Sequence, residues 1–319
     1  MEQFSDWLQE RAELALCETL YPVGFPLEIA TNSAEVIAAA GESWGDHSCE
    51  FEREPLRLRV IVEPRREAAP PPPVYRSQRG LLAIVSDRDH FAACDLAARF
   101  GWCRISAGTV ADRGWFRWYF LEAMVYMLLS YSDVVLVHAA CVARQGRGLL
   151  LCGSSGSGKS TLAYACARAG WTYLTDDSTV LLQDSRDGEA RTKHNVFRFR
   201  PEAVTLFPEL DGFKESIPPH GKPTVEVPAS AFSGMATASR CRIACIVFLD
   251  RRREGSALLR PLAAAEALGR LMHEMPDYGQ GARHRQEETL ASLAAAPAYE
   301  LRYHAIADAI ALLRDRIEE

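Results

Sequence analysis

The chain has 319 residues, with 36 Lys plus Arg against 42 Asp plus Glu and a net charge of −6. Hydrophobic residues make up 48% and charged residues 24%, the balance of a soluble globular protein and not of a disordered chain. An acidic chain lacks the dense basic face of a sequence-independent nucleic-acid binder, which excludes that partner class, and the length suits about two domains.

The first residues include Glu2, Asp6, Glu10, Arg11 and Glu13, so no basic start with an apolar run marks an export signal. Nine cysteines are scattered, and the Cys241, Cys245 pair has no partner pair at zinc spacing. Reduced, buried thiols and a cytoplasmic location are the expectation. Residues 4–18 carry a weak helical pattern. Arg57–Val62 reads as a strand, Pro70–Pro73 breaks the chain, and Leu81–Val85 reads as a second strand. No catalytic constellation appears in residues 1–110; His47, His90 and the Trp44 region are expected to pack or to face solvent. This third is expected to be a smaller mixed α/β domain that binds an acceptor or mediates self-association.

Residues 114–131 fit a helix, with Phe116, Tyr119, Phe120, Ala123, Met124, Met127, Leu128 and Tyr131 on one stripe. With Arg117 and Glu122 inside it, the stretch is not a membrane span. Residues 111–133 are expected to connect the two domains. Val134–Ala143 and Gly148–Cys152 read as a strand hairpin. Further expectations are a helix through Ala169 stopped by Gly170, a strand at Trp171–Thr175 and a strand at Ile243–Leu249. Helices follow near 262–273 and 284–296, then a strand at Tyr299–His304 and a closing helix at Ile306–Arg316.

Between the second strand and the following helix lie Gly153, Ser154, Ser155, Gly156, Ser157, Gly158, Lys159, Ser160 and Thr161, a complete G-x-x-x-x-G-K-[ST] loop. Its glycines let successive N–H groups point at phosphate oxygens, and the helix presents its positive end to the same anion. Lys159 is placed to reach the β- and γ-phosphates, and the Ser160 hydroxyl to ligate Mg²⁺. Asp176 and Asp177 end the next strand, at the sheet edge that faces ligands in open α/β folds. Paired carboxylates there offer a Mg²⁺ ligand and a base for a hydroxyl. His138 stands in the strand preceding the loop.

The stretch from Val137-His138-Ala139-Ala140 through the phosphate loop to Thr175-Asp176-Asp177 resembles the catalytic half of HPr kinase/phosphorylase. It is similar in particular to HPr-kinase-related serine kinases, including those acting on lasso-peptide precursors. The resemblance covers about residues 134–319 and is specific over 137–180. It implies an α/β P-loop kinase domain of the HPr kinase/phosphoenolpyruvate carboxykinase type, with ATP and Mg²⁺ as cofactors and a peptide or protein serine as acceptor. It further implies that Asp176 deprotonates the acceptor, Asp177 sits at the metal and phosphate, and His138 lies by the transferred group. The family's Leu-Glu-x-Arg-Gly signature is not found; Phe197-Arg198-Phe199-Arg200-Pro201-Glu202 stands there, and Glu202 offers the carboxylate for Mg²⁺.

Two other readings share the motif. One is a kinase of a small hydroxyl compound; the other is a non-catalytic nucleotide sensor or a transporter-type ATPase. Against the last, no Leu-Ser-Gly-Gly occurs, and Arg251 follows Asp250 where a catalytic Glu belongs. Asp250 is therefore read as a strand end. Arg186, Arg191, Lys193, His194, Arg198 and Arg200 form a basic stretch suited to phosphates or an acidic peptide. Lys222 is a second candidate cation, and Arg251–Arg253 a third basic spot, read as a turn.

Overall fold

The computed structural model describes residues 13–65, 70–183, 188–193, 196–216, 221–273, 275 and 280–318. It is a mixed α/β protein that divides into two compact units, Met1–Tyr131 and Ser132–Glu319.

The first unit is built on strands β1 (Leu16–Leu20), β2 (Leu27–Thr31), β3 (Leu56–Glu63), β4 (Val74–Gln78), β5 (Leu81–Val85), β6 (Phe91–Asp95) and β7 (Phe100–Ser106). They form one sheet in the order β1-β2-β3-β7-β6-β5-β4. β3 shows why: Leu56, Leu58, Val60 and Val62 are buried while Arg57 and Arg59 are exposed, the period of two of a half-buried strand. β2 and β3 pair in parallel, which requires a crossover, and α1 (Ala34–Trp44) supplies it. The helical expectation for 4–18 fails where it can be checked. Residues 4–12 lie outside the described residues, and Leu16–Leu20 is an edge strand paired antiparallel with Leu27–Thr31. The weak period there yields to backbone pairing.

Helices α2 (Ala107–Ala111) and α3 (Arg113–Phe116) lead through a π turn, Arg117–Leu121, into α4 (Glu122–Ser132). Phe116, Tyr119, Phe120, Met124 and Leu128 of the expected stripe are buried. The π turn adds a residue and rotates the register, so Leu121, Val125 and Leu129 are buried as well. This helix packs inside the first unit. Arg117 Nε donates to Ser43 Oγ (2.8 Å) and Glu122 Oε1 (3.0 Å), and Trp44 Nε1 to Tyr126 Oη (3.3 Å), tying it to α1.

The second unit contains β8 (Val134–Val137), β9 (Ala139–Arg144), β10 (Arg147–Cys152), α5 (Lys159–Arg168), β11 (Thr172–Thr175), β12 (Thr179–Leu182) and β13 (Glu189–Thr192). After them come β14 (Val196–Phe199), β15 (Glu215–Ser216), β16 (Thr224–Pro228), β17 (Arg240–Arg251) and β18 (Leu258–Leu262). The chain ends with α6 (Ala264–His273), α7 (Gln280–Leu293), β19 (Ala298–Tyr303) and α8 (Ile306–Glu318). A nine-stranded sheet runs β11-β9-β10-β17-β13-β12-β8, with β19 on β17 and β18 on β19; β14, β16 and β15 make a small third sheet.

The run expected as one strand, Val134–Ala143, is two. The chain bends at His138, so β8 pairs with β12 while β9 pairs with β10 and β11. Val137 and Ala139 stay buried on either side and His138 is exposed. β10 and β17 are parallel neighbours, and their alternate residues face different layers. Leu149, Leu151 and Val247 pack with α5 and α8 through Leu162, Cys166, Leu313 and Ile317. Leu150, Cys152, Ile246 and Phe248 pack with α6 and α7 through Ala267, Leu271 and Leu290. Beyond α5, Tyr164 sits edge-on among Phe197, Phe199 and Phe207, which brings β14 against the helix.

All nine cysteines are free thiols, and Cys141 and Cys241 approach to 3.6 Å. Among the described residues no helix is long and apolar enough to cross a membrane.

In the first unit buried His90 joins Asp87 Oδ1 (2.8 Å) to Ser106 Oγ (3.0 Å), and Ser106 in turn caps α2 by accepting from Thr109 N. The bond to His90 lowers the Asp87 pKa against the opposing effect of burial. Replacing His90 by Ala removes one partner of the buried Ser106 hydroxyl, which keeps Thr109, and breaks the tie from Asp87 to the start of α2. The expected loss is about 1–3 kcal/mol in urea denaturation, and Ser106→Ala in the same background should cost about 1 kcal/mol more through the lost cap of α2.

Candidate functional site

The carboxyl edge of the second unit's sheet gathers the residues singled out by the sequence. β10 ends at Cys152 and the Gly153–Gly158 loop follows, with Ser154, Ser155 and Gly156 exposed and Lys159 buried at the first position of α5. Two glycines are obligatory. Gly153 (φ 150°) would bring a Cβ to 2.6 Å from Ser157 Oγ, and Gly158 (φ 97°) to 2.5 Å from Tyr303 Oη. Tyr303, at the end of β19, also donates to Ser157 O (3.3 Å) and braces the loop. Sequence reasoning missed this residue, because its role depends on β19 reaching the same edge. Lys159 Nζ donates to Gly153 O (2.5 Å) and Ser154 O (3.3 Å), which holds the ammonium across the loop. Ser157 Oγ is buried with no hydrogen-bond partner among the described residues.

β11 runs to the same edge, and the residues after it are Asp176 and Asp177. The two differ sharply. Asp176 is 1% exposed; its Oδ2 accepts from Arg198 N (2.7 Å), while Oδ1 is buried without a partner. Its backbone carbonyl accepts from Ser160 Oγ (3.4 Å), which links the aspartate strand to the first turn of α5. Burial raises the Asp176 pKa to about 7, against the lowering effects of the Arg198 charge and the Arg198 N–H. Asp177 is half-exposed and its Oδ1 lies 3.3 Å from His138 Nδ1. The bend at His138 is what sets that ring at the edge.

Glu202 follows β14 by three residues. It is exposed on the 3₁₀ turn Pro201–Thr205, and its side chain makes no hydrogen bond or ion pair among the described residues. No three His, Cys, Asp or Glu among the described residues converge as a metal cage. Mg²⁺ held together with substrate phosphates needs only one or two carboxylates. Oxygen donors at Ser160 and Asp177 have the chemistry that such an ion requires.

Two described members of the basic stretch are paired internally, and Arg200 is exposed. Arg191 is buried against Glu189 (2.7 Å), and Arg198 pairs with Glu226 (2.8 Å). Burial opposes the Arg198 charge, but Asp176, Glu226 and Asp177 raise its pKa. Arg186, His194 and His220 lie outside the described residues. Lys222 is exposed. Asp250 accepts from Arg252 (2.6 Å) and pairs with Arg302 (3.3 Å), the pattern of a tied strand end.

Residues 101–193 match the family model of the SynChlorMet cassette protein ScmC, a stretch that contains the glycine-rich loop, His138 and both aspartates. Among curated proteins, none matches the chain. Among solved structures, the chain is similar to the Hpr(Ser) kinase/phosphatase from Coxiella burnetii at 13% identity and a TM-score of 0.32. That likeness covers 57% of this chain and 95% of that one.

The raised Asp176 pKa has a thermodynamic consequence. The folded state holds this proton more tightly than the unfolded chain does. The resulting stability is fully present below the ordinary aspartate range and is lost as pH rises through about 7. Asp176→Asn removes the titration. Its stability relative to wild type should therefore increase as pH climbs from about 4 to about 8, as read by denaturation at a series of pH values.

Proposed function

We propose that the second unit is a P-loop kinase domain of the HPr-kinase-like type. It transfers the γ-phosphoryl group of ATP, with Mg²⁺, to a serine hydroxyl of a peptide or protein. One observation carries the reading: a complete phosphate loop shares a sheet edge with a buried, half-satisfied carboxylate whose pKa is raised to about 7. A structural strand end has no use for an unpartnered buried oxygen, whereas a general base poised near neutrality needs one.

In this reading the loop amides and Lys159 bear the charge of the phosphates, and Ser160 and Asp177 supply oxygen ligands for the metal. Bound Mg²⁺ neutralises charge on the transferred group. Asp176 Oδ1 accepts the proton of the acceptor hydroxyl as its oxygen attacks phosphorus, and the proton stays on the carboxyl while ADP leaves. His138, held by Asp177, lies beside the same group and orients it. Residues 1–110 bind the acceptor or mediate self-association.

Lys159→Ala should abolish nucleotide binding or turnover. Asp176→Asn should leave Mg·ADP affinity within a few-fold while single-turnover transfer falls by about 10²- to 10⁴-fold, the usual worth of a general base. In wild type, kcat/KM should rise with pH up to about 7 and then level, because the base must be deprotonated; Asp176→Asn should lack that limb. Asp177→Asn should weaken the Mg²⁺-dependent part of binding. Near-wild-type transfer by Asp176→Asn would leave the reaction without its base and would favour a nucleotide sensor.

A further inference from the structure

A cavity of about 440 Å³ opens beside the phosphate loop, between the carboxyl ends of β10 and β17 and helix α6. Val137, Cys152, Phe248 and Leu271 make most of its wall apolar, and His138, His273, Glu266 and Arg270 supply its polar groups. Gly153, the first residue of the loop, also lines it.

Two features separate this space from a packing defect. The first is its place. The chain leaves β10 through α5 onto one face of the sheet and leaves β17 through β18 and α6 onto the other. The crevice between neighbouring strands whose connections part in this way is where open α/β sheets bind ligands. The second is Gly269, in the interior of α6 and on the cavity wall. Glycine weakens a helix interior relative to alanine. A Cβ at 269 would meet nothing within 4 Å, so no close backbone approach demands the glycine. Its effect is to leave the cavity open.

The lining also indicates what enters. Arg270 donates to Glu266 (2.7 Å) and Glu300 (3.0 Å) and lies over the Phe248 ring at 5.3 Å, so its charge is balanced. The wall therefore selects an apolar group and not an anion. Of its polar lining groups, His138 reaches Asp177 and marks the side of the cavity toward the aspartates. In the kinase reading that is the side of the loop where the phosphoryl group is transferred, and the nucleoside base lies at the far end of the triphosphate.

We propose that this cavity takes an apolar side chain of the acceptor adjacent to the phosphorylated serine, selecting a neighbour of the Leu, Met or Phe class. The inference rests on the kinase reading and adds an acceptor specificity to it.

The test uses the full chain, Mg·ATP and a library of short peptides with a fixed central serine and varied neighbours, read by mass spectrometry. Mg·ADP affinity is measured in parallel by calorimetry. Wild type should favour an apolar neighbour over Asp or Lys by about tenfold or more, the usual worth of filling an apolar pocket. Gly269→Leu, which fills the cavity, should lose that preference by a similar factor while Mg·ADP affinity stays within about twofold. Gly269→Ala should keep both properties and melt higher.

A tenfold loss of Mg·ADP affinity in Gly269→Leu would assign the cavity to the nucleotide and overturn the proposal. Serine phosphorylation with no neighbour preference in wild type would overturn it too, leaving the kinase reading intact; that result is read without any variant, should Gly269→Leu not fold. Mg·ADP binding without transfer to any serine peptide would remove the kinase reading and the inference together.

Discussion

The parallel pairing of β10 with β17 is the constraint on which the second unit depends. Parallel strands need crossover connections, and here the two connections leave on opposite faces. One face receives α5, whose first turn holds Lys159 and Ser160; the other receives α6, which roofs the cavity. Because β9 is antiparallel to β10 and β11 to β9, the start of β9 and the end of β11 come to the same edge. His138, Asp176, Asp177 and the glycine-rich loop are thus neighbours by topology, although the sequence spreads them across some forty positions.

Charge at this edge is organised by burial. Two adjacent aspartates with the same intrinsic acidity are given different environments: one sealed and facing a backbone N–H, the other half in solvent beside a histidine. Desolvation disfavours the ionised form of the first, whereas the second remains in contact with water. Two arginines that look available in sequence order, Arg191 and Arg198, are engaged by Glu189 and Glu226. A backbone N–H from that same stretch, at Arg198, sets the position of the Asp176 carboxyl instead.

Several elements were legible from residue patterns alone. Alternation in Leu56–Val62, the closed run Leu81–Val85, the glycine-rich loop with its flanking strand and helix, and the stop at Gly170 depend on local stereochemistry, and the structure keeps them. The short strands β12 to β16 and β18 were not read, because their partners are distant in sequence and pairing stabilises them more than propensity does. For the same reason Val134–Ala143 read as one strand: both halves are apolar, and only the demand of two different partners bends the chain at His138.

The sequence by itself determined which groups are present at the candidate site and the local form of the glycine-rich loop, since glycine, lysine and serine at those spacings act through backbone geometry within a few residues. Only the tertiary structure decided what each group is made into. Burial distinguishes Asp176 from Asp177, Tyr303 arrives from a strand some 145 residues away to brace the loop, and Gly269 becomes the wall of a cavity. Acidity and available volume are set by what surrounds an atom in space, and that environment is assembled from segments the chain order keeps apart.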